Sequence, residues 1–123
     1  MKPKVLLLGE RITRDQVLIT QLRRKAELIF SLEITQLEKT IRESYIDLVV
    51  LEYSDDWEED LRAIEAIKAR LPNLPFIIVD GNASNEIVIR SFRAGLEDYF
   101  KKPYDPMLLA ERVEALVKRR TAH

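Results

Sequence analysis

Cysteine is absent from the 123 residues, and histidine occurs once, as the last residue, His123. No disulfide framework, thiolate nucleophile or cysteine metal site can be built, and serine–histidine and histidine–metal chemistry lack a well-placed imidazole. Glycine is nearly as scarce, at Gly9, Gly81 and Gly95. A dinucleotide fingerprint and a Walker-type phosphate loop both need clustered glycines, so neither is present. An excess of charge of one sign is also missing. The 20 basic and 21 acidic residues leave a net charge of -1, which supplies no general attraction to nucleic acid or to a membrane surface. Residues 1–4 run straight into a short apolar stretch, without the longer apolar region and cleavage site of a signal peptide, so a cytoplasmic location is expected.

What is present is a globular composition, 46% hydrophobic and 33% charged, of a length suited to one core and too short for two. Residues 46–52 (IDLVVLE), with an unbroken aliphatic LVVL at their centre, show the pattern of a strand buried on both faces of a parallel sheet. Shorter runs predict strands at 4–8, 27–30, 74–79 and 97–100. Helical spacing predicts helices between them: 14–24 behind a Thr13/Gln16 capping box, a shorter one behind Thr35/Glu38, and one carrying Leu61, Ile64 and Ile67 that ends before Pro72. Asp55 or Asp56 can cap that third helix. A fourth starts at Ser84, carries Ile87, Val88, Phe92 and Ala94, and ends at Gly95 in the left-handed position. The fifth follows Asp105-Pro106 and runs to Lys118.

Five strands alternating with five helices predict a three-layer α/β sandwich with a parallel sheet. Residues 1–119 are expected to form the domain, and 120–123 a tail or the start of an interdomain linker. Parallel strands bring their carboxyl ends to one edge, where Gly9, Glu10, Glu52, Asp80, Lys101 and Lys102 would gather around a crevice. The modest basic end formed by Lys101, Lys102 and residues 118–120 reads as a solvated face rather than a nucleic-acid patch. Trp57 reads as a packing residue over the crevice.

Residues 94–104 (AGLEDYFKKPY) resemble the C-terminal signature of response-regulator receiver domains of the CheY-like type, and residues 47–52 resemble the strand that ends in that family's phosphoacceptor aspartate. The resemblance covers essentially the whole chain. It implies the flavodoxin-like strand order 2-1-3-4-5, a cis bond between Lys102 and Pro103, and a signalling module rather than an enzyme. Carried over, the family's acidic pair falls on Gly9 and Glu10, its phosphoacceptor on Glu52 and its switch serine or threonine on Asp80. Lys102 and the aromatic switch residue Tyr99 match the family.

The departures have consequences. Glutamate sets its carboxylate one methylene further out than aspartate, beyond the tolerance of an in-line attack. Without an acid at position 9, magnesium would have only Glu10 and Glu52 to hold it, a weak site. Asp80 at roughly 4 Å from a phosphoryl oxygen would repel it by about 4 kcal/mol at an effective dielectric of about 20. The resemblance thus implies a pseudo-receiver: a protein-interaction module independent of phosphorylation. It would act through a partner or a linked output domain, with no direct contact to nucleic acid or membrane and with homodimerisation compatible. Tyr99, Lys101 and Tyr104 would be the exposed edge of its output face. Two alternatives stay open, a residually active phosphoacceptor using magnesium at Glu10 and Glu52, and a sensor of a cation or small cationic ligand among Glu10, Glu52 and Asp80. In all three, Glu10, Glu52 and Asp80 face one inward amine. Either Lys102 pairs with Glu52 and another carboxyl titrates above its usual value, or a cation or Arg11 supplies the missing charge.

Overall fold

The computed structural model describes residues 1–82 and 84–121, the side chains of 120 and 121 excepted. The strands are β1 (Lys4–Leu8), β2 (Glu27–Ser31), β3 (Leu48–Glu52), β4 (Phe76–Asp80) and β5 (Asp98–Lys101). The helices between and after them are α1 (Gln16–Arg23), α2 (Leu37–Ser44), α3 (Trp57–Arg70), α4 (Asn85–Arg93) and α5 (Pro106–Thr121). The sheet order is β2-β1-β3-β4-β5 with every pair parallel. This is the order that the resemblance implies, and Lys102–Pro103 is cis.

Because successive strand residues face opposite sides, each strand feeds two cores. Val5, Leu7, Leu48, Val50, Ile77 and Val79 meet α1 and α5 on one face. Leu6, Leu8, Val49, Leu51, Phe76 and Ile78 meet α2, α3 and α4 on the other. Every residue of β3 is buried, which is why its sequence shows no polar alternation. Among the described residues no helix is long and apolar enough to cross a membrane.

Several local expectations need correction. The Thr13 capping box does not form. Residues Ile12–Arg14 make a 3-10 turn, and Asp15 caps α1 by accepting from Leu18 N at 3.1 Å. Thr13 Oγ1 instead donates to Gly9 O at 2.7 Å. Thr35 lies in a second 3-10 turn, Ile34–Gln36, and α2 starts without a side-chain cap. A Ser or Thr hydroxyl can bond the chain locally in several ways, and here the turn geometry prevails over the helical cap. Phe92, expected on the apolar face of α4, is 45% exposed. The fifth helix, expected to end at Lys118, runs on to Thr121. His123 lies outside the described residues. Asp56, Ser84 and Gly95 take their expected places: Asp56 and Ser84 cap α3 and α4, and Gly95 follows α4 at φ +100°.

Candidate functional site

The carboxyl ends of β1, β3 and β4, with the loops that follow them, surround a crevice of about 670 Å³. Gly9, Glu10, Glu52, Asp80 and Lys102 all line it, as do Arg11, Tyr53, Trp57 and Asp60. Lys101, placed here by its position at a strand end, does not line the crevice and is exposed.

Glu52 is 7% exposed and both of its oxygens are engaged. Oε1 accepts from Arg11 N at 2.8 Å and from Ile12 N at 3.2 Å. Oε2 accepts from Lys102 Nζ. Burial pushes the Glu52 carboxyl up, but the Lys102 ammonium and the two backbone N–H groups outweigh it and hold the carboxyl below its usual value. Of the arrangements left open by the charge count, the one observed pairs Lys102 with Glu52.

Asp80 goes elsewhere. In their strands Glu52 follows Leu51 and Asp80 follows Val79, residues of opposite cores, so alternation turns the two carboxylates to opposite faces of the sheet. Asp80 is 4% exposed, with Oδ1 accepting from Asn82 N at 3.0 Å and Oδ2 from the Tyr99 hydroxyl. Tyr99 therefore points inward, its phenol pushed up by burial and by the carboxylate it bonds. Glu10 stands exposed at the rim.

The expected exposed edge of Tyr99, Lys101 and Tyr104 does not form as one surface. Tyr99 is part-buried against the core beneath α2, α3 and α4, whereas Tyr104 is part-buried against the opposite core. The Tyr104 hydroxyl donates to Asp15 Oδ2 at 2.5 Å. Only Lys101 of the three is exposed. Both tyrosines follow the sheet's alternation and the apolar bodies of their rings, which sequence position near a signature did not convey.

Sequence reasoning missed three side chains. Tyr53, 5% exposed, meets Ser91 on α4 through a 2.6 Å hydroxyl pair, and its ring lies edge-on to Tyr99 at 6.5 Å. Burial pushes its phenol up to about 12. Asp60, 4% exposed, accepts from Ser54 N and Oγ, each at 2.8 Å. Burial pushes its carboxyl above its usual value. Ser91 and Asp60 sit at buried positions of their helices, and that placement was the available signal. Trp57 lines the crevice and carries the Arg90 guanidinium of α4 over its ring at 5.2 Å.

The side chains the resemblance would offer to a magnesium ion are few. Glu52 has committed both oxygens, position 9 has no side chain, and among the described residues no group of three His, Asp or Glu side chains is arranged to hold a metal.

No family model matches the chain. A putative NtrX-like response regulator of Rickettsia typhi is 33% identical over 76 residues, 58% of this chain and 15% of that protein. The chemotaxis protein CheY of Pseudomonas aeruginosa is 34% identical over 59 residues, 48% of this chain and 47% of that one. The chain thus spans less than half the length of either relative. A CheY-like receiver domain of Methanospirillum hungatei superposes with a TM-score of 0.85 at 19% identity, over 99% of this chain and 98% of that one. This chain has the CheY-like receiver fold, and parts of its sequence are similar to response regulators.

Proposed function

We propose that the chain is a receiver-type module of two-component signalling that works by protein contact, without accepting a phosphoryl group. The observation that supports this most is the engagement of Glu52. A nucleophile must present a free oxygen to the donor, whereas this carboxylate is buried, bonded through Oε1 to two backbone N–H groups and through Oε2 to Lys102. With Asp80 held to Tyr99 and Tyr53 to Ser91, the groups that would respond to a phosphoryl group are bonded to one another. The module then stands in one state and does not wait for a signal. Its partner is a separate protein or a covalently linked output domain, met in the cytoplasm on the side of α4, β5 and α5.

Incubation with acetyl phosphate or phosphoramidate and magnesium, read by intact mass, tests the reading. No added phosphoryl mass is expected on the wild type, nor on Glu52→Asp, because Gly9 and Asp80 still deny the metal and the phosphoryl group their partners. Efficient magnesium-dependent labelling of the wild type would overturn the reading. Labelling of Glu52→Asp alone would show that one methylene was the whole defect.

A further inference from the structure

Leu8 pairs with Leu51 across β1 and β3, so the next residues, Gly9 and Glu52, stand side by side at the end of the sheet. Gly9 has φ +145°, a conformation that favours glycine. A Cβ built there would lie 2.5 Å from Glu52 Cβ and 2.6 Å from Glu52 Oε1. The backbone has therefore closed onto the glutamate, into space that any side chain at position 9 would occupy. That approach is what lets the N–H groups of Arg11 and Ile12, two and three residues on, reach Oε1. Thr13 Oγ1 closes the same loop by donating to Gly9 O.

We propose that Gly9 and Glu52 are an interlocked pair in which the glutamate carboxylate, rather than a metal ion, fastens the loop of residues 9–14 to the sheet. The two residues depend on each other. Glu52 needs a bare backbone beside it to gain its N–H partners, and Gly9 is held in its conformation because the loop ahead of it is bound to Glu52. Lys102 on the other oxygen keeps the carboxylate ionised and so keeps it a strong acceptor. The same geometry excludes an acid at position 9 while Glu52 stays seated, so a metal site cannot be rebuilt by a change at position 9 alone. This rests on the same Glu52 contacts as the proposed function and adds to them the close approach of Gly9. The two fail separately: phosphoryl labelling of the wild type would overturn that function, whereas the loop contact in the unlabelled protein is read by amide exchange at Arg11 and Ile12.

The test is amide hydrogen exchange of Arg11 and Ile12 by NMR on the whole chain, with the emission of Trp57, the one tryptophan and a crevice residue, as a second readout. In the wild type, both amides and the emission are expected to be the same in EDTA and in excess magnesium. Glu52→Ala should speed exchange at both amides at least tenfold, and Gly9→Ala should do so with Glu52 intact, because the loop must back away. Where Glu52→Ala does not fold, Glu52→Met keeps the length and apolar body, removes the acceptor, and is expected to give the same acceleration. Wild-type protection that requires magnesium would overturn the proposal. So would unchanged exchange in the Glu52 variant, or in Gly9→Ala.

Discussion

Replacing Lys102 by methionine tests the electrostatics of the crevice most directly. The Lys102 side chain is 25% exposed and that of Glu52 6%, so the substitution leaves a nearly buried carboxylate without its ammonium. Removing one partner of a buried ion pair costs about 3–5 kcal/mol. Partial exposure of the lysine and the two N–H groups that remain on Glu52 lower this to about 2–3 kcal/mol at pH 7. For a chain of this length the unfolding entropy is about 0.26 kcal/mol/K, so Tm should fall by about 8–12 °C. The cost should also depend on pH. In the wild type the Glu52 carboxyl is held below its usual 4.5, so its contribution is present above that value and is lost as pH falls through the lower, folded one. In Lys102→Met the effect of burial remains while the principal opposing group is gone, so the folded value rises. Protonation then relieves the buried charge, and the gap between the variant and the wild type should narrow between pH 7 and pH 4. Urea unfolding at both pH values measures it. A cost at pH 7 below about 0.5 kcal/mol, or a gap that stays the same at pH 4, would refute the pairing of Lys102 with Glu52 as a working contact.

Tyr53→Phe leaves the Ser91 hydroxyl, wholly buried on α4, without its partner. It should cost about 1–3 kcal/mol, with Tyr53→Phe/Ser91→Ala costing less than the sum of the single changes, as thermal unfolding would show. Once a partner of the α4–β5–α5 side is in hand, Tyr99→Ala should weaken its binding by freeing Asp80 and the strand beneath the face. Tyr104→Ala should weaken it by loosening the start of α5 from Asp15. Calorimetry showing unchanged affinity in both variants would move the interface elsewhere.

The alternation of aliphatic runs with helical spacing was enough to name ten elements in order, because burial on both faces leaves a strand no choice but apolar residues. Helix starts were less legible: Thr13 and Thr35 carried the capping pattern, yet Asp15 caps α1 and α2 opens from a 3-10 turn, since short polar side chains have several local partners and the choice among them is made by the turn. The same division runs through the crevice. That Gly9, Glu10, Glu52, Asp80 and Lys102 meet at one edge follows from parallel strands alone. Which of them touch does not. Alternation sends Glu52 to one face with Lys102 and Asp80 to the other with Tyr99, and one residue of register decides that for each strand. The closure of Gly9 onto Glu52, the buried Tyr53–Ser91 pair and the raised carboxyl of Asp60 join residues 38 to 43 positions apart or depend on how deeply a side chain is buried. Such contacts, and the charge states they impose, belong to the tertiary structure, because they arise only when separate segments exclude water from the same small space.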